Sequence, residues 1–227
     1  MKLTKVVRRE PLRQQVLASL KEALFNGRLA PGQQLTEEGV AEFLGVSRTP
    51  AREALAILFQ EGILERRSKG GFTVTIPTKD KIEQIFQVRH LLEPYAARLA
   101  ASHAKPKDIR RLKELISALR GNLDSPDPVD YLEPDRELRR SIFALSRNQQ
   151  LVDCIERYEN HLNLVAALTL RDPAIRRIGL EVDAPIVKAI AAHDRGAAEA
   201  AVHRQLEAGK QALVDVLDQV LPGSAYA

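Results

Sequence analysis

Between Thr36 and Gln60 the chain carries two short amphipathic helical patterns separated only by Gly45-Val46-Ser47, and this spacing restricts the possible folds most sharply. Thr36 suits an N-cap, and Glu37 and Glu38 suit the positive end of the helix it starts. Val40, Phe43 and Leu44 supply an apolar stripe, and Gly45 can take the left-handed conformation that ends it. Ser47 caps the second pattern, and Pro50 falls in its first turn, where a missing N–H is tolerated. Ala51, Ala54, Leu55 and Leu58 share one arc of that helix. Thr49, Arg52, Glu53 and Ala56 point elsewhere, with Arg48 at the start. Two short helices across a tight glycine turn make a helix-turn-helix.

The flanking segments extend this unit. An earlier helix is predicted from about Pro11 to Asn26, with Val16, Leu17, Leu20 and Leu24 on its buried face and Gly27 as its stop. Pro31-Gly32 makes a turn. After the second pattern the period changes to that of strands. The runs 63–67 and 72–76 bracket Ser68-Lys69-Gly70-Gly71, which reads as a β-hairpin with a basic, glycine-rich tip.

Charge gives the unit a direction. Up to Ile76 there are twelve Lys/Arg and eight Asp/Glu, so the whole excess of +4 lies in the first third of the 227 residues. A basic module joined to a neutral one points to a polyanion partner. The helix face carrying Thr49, Arg52, Glu53 and Ala56, with Arg48 at its start, suits base edges and phosphates in a major groove. A wing with Arg66, Arg67, Lys69 and Gly70 suits the neighbouring backbone and minor groove. The blander readings are a solvated helix face and an ordinary surface hairpin.

Pro77-Thr78 marks a boundary, giving domains at 1–76 and 77–227. Beyond it, helical patterns alternate with Pro- or Gly-containing breaks. One is predicted over Lys79–Ser102, with a stripe of Ile82, Ile85, Phe86, Leu92, Tyr95 and Leu99. Another uses Ile109, Leu112, Leu115, Ile116 and Leu119 and is closed by Gly121. The segment 125–128 is a loop, and further helices should cover about 130–146, 148–169, 173–194 and 196–220. The expected fold is mostly α: three helices plus a β-hairpin wing, then an all-α antiparallel helical bundle of the kind that builds ligand sites between facing helices.

The segment Pro31–Glu37, the run Leu44-Gly45-Val46-Ser47-Arg48-Thr49-Pro50-Ala51-Arg52-Glu53-Ala54-Leu55, and the continuation through Glu61-Gly62-Ile63-Leu64-Glu65-Arg66 and Gly71-Phe72-Thr73-Val74 resemble the signature of GntR-type regulators. The resemblance covers about residues 10–76 and implies DNA contacts by Ser47, Arg48, Thr49 and Arg52, assisted by the wing tip. Two positions depart from it: the family often has Arg where this chain has Glu38, and Gly39 is unusual inside a helix. The remainder resembles the FCD ligand-binding domain of the FadR branch. Val88-Arg89 with Leu92-Glu93, Asp135 ahead of Ser146-Arg147-Asn148, and Ala189-Ile190, Asp194 and Leu206 carry that likeness.

Many members of that branch hold a divalent metal with one Asp and three His. The matching positions here are Asp135, Arg139, Asp183 and Gln205. A guanidinium offers no lone pair, so no metal and no cofactor are expected. Arg139 instead suits a two-pronged bond to an organic anion, oriented by Asp135 or Asp183, or else an internal ion pair with one of them. Arg89 is a second basic candidate, although Arg89 and Glu93, four apart, can simply pair. Arg157, Asn160, His161 and Asn163 on one middle helix are further polar candidates, with Asn163 included in the effector set; a solvated face is the commoner explanation for such a cluster.

The resemblance implies a homodimer on double-stranded operator DNA, responsive to a small carboxylate effector and more often repressing than activating. The alternatives are a regulator that has lost its effector, or one that binds metal at a remodelled site. No phosphate loop, paired cysteine, metal-histidine helix or nucleophile elbow is present, so an enzyme is not expected. The lone Cys154, the absence of an apolar signal core and the lack of a bilayer-length apolar run point to the cytoplasm, with no membrane partner.

Overall fold

The computed structural model of the chain describes residues 11–75 and 78–220; for 159–162, 165, 167, 168, 219 and 220 it describes the backbone alone. The chain divides into two compact units, residues 1–76 and 77–227.

The first unit contains α1 (Leu12–Phe25), β1 (Gln34–Leu35), α2 (Glu37–Leu44), α3 (Arg48–Gln60), β2 (Leu64–Arg66) and β3 (Phe72–Val74). Helix α1 packs on α3, and α3 on α2. Val16, Leu20 and Leu24 of α1 meet Ala51, Ala54, Leu55 and Leu58 of α3 in a core closed by Ile63, Phe72 and Val74. Thr36 caps α2 by accepting from the Gly39 N–H at 3.0 Å, and a Cβ at position 39 would lie equally close to that hydroxyl. Gly45 ends α2 with φ 65°. Ser47 occupies the N-cap position of α3, but its side chain makes no capping hydrogen bond.

One expectation needs correction here, and the expected hairpin wing gains a third strand. Phe43 is 88% exposed rather than part of a buried stripe. Helix α2 has eight residues, and its buried arc runs over Val40, Ala41 and half-buried Leu44. At about 100° per residue, Phe43 falls roughly 110° from the middle of that arc. The wing is also more than a hairpin. Strand β1 pairs antiparallel with β3, opposing Leu35 to Phe72, so the sheet order is β1-β3-β2. A two-residue strand is too short for alternation to register in sequence.

The second unit is a bundle of six helices among the described residues: α4 (Lys79–His103), α5 (Pro106–Gly121), α6 (Val129–Ala144), α7 (Gln149–Thr169), α8 (Pro173–Ala191) and α9 (Arg195–Val220). Helix α9 packs along both α4 and α8, while α5 packs on α6 and α8. Helix α8 ends three residues earlier than its periodicity predicts. His193 takes φ 56°, its ring contacts the Ala101 carbonyl at 2.9 Å, and Asp194 accepts from the Ala197 N–H to start α9. The break falls at 192–194, just before the Arg195-Gly196 step at which the sequence places it.

The stripe of α4 differs from the one read from apolar letters. Tyr95 is half exposed and Leu92 and Leu99 are only partly covered, whereas Arg89, Glu93, Ala96, Ala97, Ala100 and Ala101 are buried. Arg89 and Glu93 neutralise each other across one turn. Apolar periodicity cannot see a charged pair that enters a core together.

Candidate nucleic-acid interface and ligand cavity

Helix α3 has two unlike sides. Pro50, Ala51, Ala54, Leu55 and Leu58 anchor it, while Ser47, Arg48, Thr49, Arg52 and Glu53 are exposed. The division follows from helical spacing, since 51, 54, 55 and 58 fall on one face. A rigid inner side holds the outer side chains at the N-terminal end, where backbone N–H groups also favour an anionic partner. Arg48 Nη2 forms an ion pair with Glu38 in the first turn of α2; both side chains are 69% exposed.

The strands add a second basic element. Arg66 is exposed on β2, with its guanidinium carbon 5.7 Å from the Phe59 ring centroid and 6.0 Å from that of Phe72. The two rings lie 6.2 Å apart at 54°. Stacking on both keeps the arginine at the surface in a restricted orientation. In the sequence, Phe59 and Phe72 read only as apolar residues, and thirteen positions separate them. Lys69 and Gly70 are exposed at the hairpin tip and Arg67 is half-buried. Gly70 has φ 88° and Gly71 φ 79°, and a Cβ on Gly71 would come within 2.7 Å of the Leu35 carbonyl oxygen. The glycines therefore let β1 lie close to the turn.

In the second unit, five of the six predicted effector residues line one cavity of about 100 Å³: Arg89 from α4, Asp135 and Arg139 from α6, Asp183 from α8 and Gln205 from α9. Phe86, Ile175, Val182 and Leu213 provide apolar wall. Asn163 is half-buried on α7 and lies outside this lining, one turn before Ala166, Thr169 and Leu170, which face the space. The side chains of Asn160 and His161 lie outside the described residues.

The cavity is polar but internally matched. Arg139 pairs with Asp135 on its own helix. Arg89 pairs with Glu93, Nη2 donating to Oε2 at 3.1 Å, and its guanidinium sits 4.6 Å over the Phe86 ring. Asp183 is buried. Desolvation, with the neighbouring Asp135 carboxylate, pushes its carboxyl up to about 7, and Arg139 offsets part of that rise. Below about pH 7 the protonated Asp183 carboxyl is a donor, in a cavity it shares with the Arg139 guanidinium that pairs with Asp135. The family's metal ligand set does not fit: a guanidinium occupies one ligand position and already engages the aspartate at another. No group of three or more His, Cys, Asp or Glu suited to a metal occurs among the described residues.

Sequence reading missed one feature beside the cavity. Arg176 is 1% exposed and bonds backbone carbonyls rather than acids: Nε donates to Leu170 at 2.6 Å, and Nη1 to Leu123 at 3.1 Å and Ser125 at 2.8 Å. Its own carbonyl accepts from Tyr131 Oη at 2.9 Å. Burial, with Asp135 and Asp183 nearby, pushes the Tyr131 hydroxyl upward, so it stays a donor. This arginine ties the α5–α6 loop to the start of α8, the helix that carries Asp183.

Comparison with known proteins gives a consistent pattern. A model described as "Bacterial regulatory proteins, gntR family" matches residues 12–74, and one described as "FCD domain" matches 84–208. The HTH-type transcriptional regulator McbR of Escherichia coli is 34% identical over 142 residues, covering 63% of this chain and 64% of that protein. The uncharacterized HTH-type transcriptional regulator YdhC of Bacillus subtilis is 28% identical over 138 residues, or 62% of its length. These matches therefore span just under two thirds of either relative. The Uxu operon transcriptional regulator of Escherichia coli is 27% identical over 222 residues, 89% of this chain and 86% of that protein. Among solved structures, E. coli McbR/YncC superposes with a TM-score of 0.79 at 28% identity, covering 93% of this chain and all of that one. No helix among the described residues is long and apolar enough to cross a membrane.

Proposed function

This chain belongs to the GntR family of bacterial regulatory proteins, in the branch that carries an FCD domain, and on that premise we propose that it is a transcription regulator that binds operator DNA and releases it when a small organic anion occupies its helical unit. The domains of this reading are 1–76 for DNA and 77–227 for effector binding and dimerisation. Relatives named as operon transcriptional regulators support an operon as the target, which in this reading is a metabolic one.

The observation that carries the reading is the two-sided character of α3. Its apolar face is locked into the core while Ser47, Arg48, Thr49 and Arg52 stand in solvent at its N-terminal end. A helix held this way can enter a major groove without losing its packing. Arg66, Arg67, Lys69 and Gly70 then meet phosphates beside it. Two copies related by a two-fold axis would present two such helices to a pseudo-palindrome, and the helical unit supplies the dimer contact.

The effector reading rests on the cavity. Its volume suits a ligand of a few non-hydrogen atoms, far smaller than a drug-sized pocket accepts. A carboxylate competes with Asp135 for Arg139, and protonated Asp183 donates to a ligand oxygen. Both bonds are made only if Arg139 leaves its resting pair, which gives the ligand unequal affinity for two arrangements of α6. Unequal affinity is what a switch requires. If the Arg139–Asp135 pair never opens, the chain is a regulator that has lost its effector.

Arg52→Ala tests the DNA reading. Operator affinity should fall on the order of 10- to 100-fold, with thermal unfolding unchanged; equal affinity overturns the role of α3. A thermal-shift screen against small organic acids tests the cavity. The expected result is stabilisation by one chemical class in wild type and none in Arg139→Ala. An equal response in that variant removes the anion anchor from Arg139.

A further inference from the structure

The ion pair between Arg48 and Glu38 has no evident structural task. Both side chains are 69% exposed, and a solvated surface pair of this kind adds little to stability. Thr36 already caps α2, and Glu37 supplies a carboxylate to its positive end. Yet Glu38 sets a negative charge beside the first residue of α3, on a face that carries Ser47, Arg48, Thr49 and Arg52, with Glu53 as the exposed acid of α3 itself. Against a phosphate backbone that charge lowers affinity. Glu38 favours the positive end of α2 as Glu37 does, and its pairing with Arg48 adds a role at the exposed face of α3.

The chemistry of the pair defines that role. Arg48 presents five donors in a planar fork, of which Glu38 engages one terminal nitrogen. Glu38 presents two acceptor oxygens. Together they form a donor edge flanked by an acceptor edge, held side by side by their own bond. The major-groove edge of a G·C pair is the complement: guanine N7 and O6 accept, and the cytosine N4 amino group donates. An A·T pair opposes this arrangement, because the adenine amino group faces the guanidinium and thymine O4 faces the carboxylate.

We propose that Glu38 is a specificity-determining residue that reads DNA jointly with Arg48, accepting from the cytosine amino group of the G·C pair whose guanine accepts from Arg48. The inference rests on the operator-binding reading and goes beyond it, since Glu38 lies outside α3 and carries the wrong charge for a phosphate contact. It trades total affinity for discrimination at one base pair in each half-site.

The test uses the full-length protein and single-atom changes in DNA. An operator duplex is first selected by the wild-type protein from a random pool. Each cytosine in a half-site is then replaced by pyrimidin-2-one, which lacks the N4 amino group. At one position the wild-type protein should lose affinity on the order of tenfold. In Glu38→Ala that same replacement should have little effect, while binding to unrelated duplex becomes tighter because one repelling charge is gone. Equal losses in both proteins at every cytosine would overturn the role of Glu38. A wild-type protein that selects no duplex would instead contradict operator binding itself, which separates the two failures. Glu38 is solvated, so the variant should unfold at the same temperature as wild type, and that measurement serves as the control for folding.

Discussion

Among the described residues, the unit ending at Ile76 buries a single polar side chain, Asn26, and keeps Arg48, Arg52 and Lys69 in solvent. The unit beginning at Pro77 withdraws Arg89, Glu93, Asp135, Arg136, Arg176 and Asp183 from water. One region spends its charge outward, toward a polyanion, on a core made of Leu, Ile, Val, Ala and Phe. The other folds charge inward, where each group must find a partner or change its protonation state. Stability in the first should therefore be insensitive to its arginines and acids, and in the second it should hinge on them.

The strongest test of that contrast is Arg176. Its replacement by Ala strands the Leu170, Leu123 and Ser125 carbonyls and empties a fully buried volume. The expected cost is about 3–5 kcal/mol in urea denaturation. Arg176→Lys should recover little, because an ammonium cannot reach three carbonyls arranged for a planar fork. A cost below about 1 kcal/mol would mean that the buried charges are not structural.

Asp183 gives the next effect. Its carboxyl is raised in the folded state by burial and by Asp135, so the folded protein holds a proton that the unfolded chain releases. This contribution is fully present below the ordinary carboxylate value of 3.8 and declines as pH rises toward about 7. The charged groups acting on it are Asp135 and Arg139 of α6; Tyr131 of α6 is also near, and Arg89 of α4 and the neutral Gln205 of α9 line the same cavity. Asp183→Asn mimics the protonated form and should flatten the decline, by about 3 kcal/mol between pH 4 and 7. An unchanged pH profile would show that Asp183 ionises freely in the fold.

These two residues also mark where sequence reading stops. The helix-turn-helix was legible because each of its signals is local: the Thr36 cap, Gly45 in the left-handed region, and the Ala51-Ala54-Leu55-Leu58 arc can each be read within a short stretch of chain, all between positions 36 and 58. The polar lining of the cavity was legible through resemblance alone, since nothing in the spacing of 89, 135, 139, 183 and 205 brings those positions together. Arg176 escaped notice because its partners are backbone carbonyls 51–53 residues away on another loop and six away in its own. Phe43 was misplaced because an eight-residue helix offers too few turns to fix the centre of its buried arc.

The smallest effect sharpens the contrast from the other side. Phe43→Ser should change stability by less than about 0.5 kcal/mol, despite the loss of a large apolar side chain, because nearly all of that side chain is already in water. Chemical denaturation measures it. A loss of about 2 kcal/mol or more would return Phe43 to the core and redraw the face of α2.

Footprinting of the wild-type protein on duplexes selected from a random pool addresses the outward-facing charge most directly. The expected result is protection of one short pseudo-palindrome, with half-site centres a helical turn or a whole multiple of it apart, and loss of that protection when Arg48 and Arg52 are both replaced by alanine. Uniform coating of DNA, or protection that survives the double replacement, would contradict a reading head at the N-terminal end of α3.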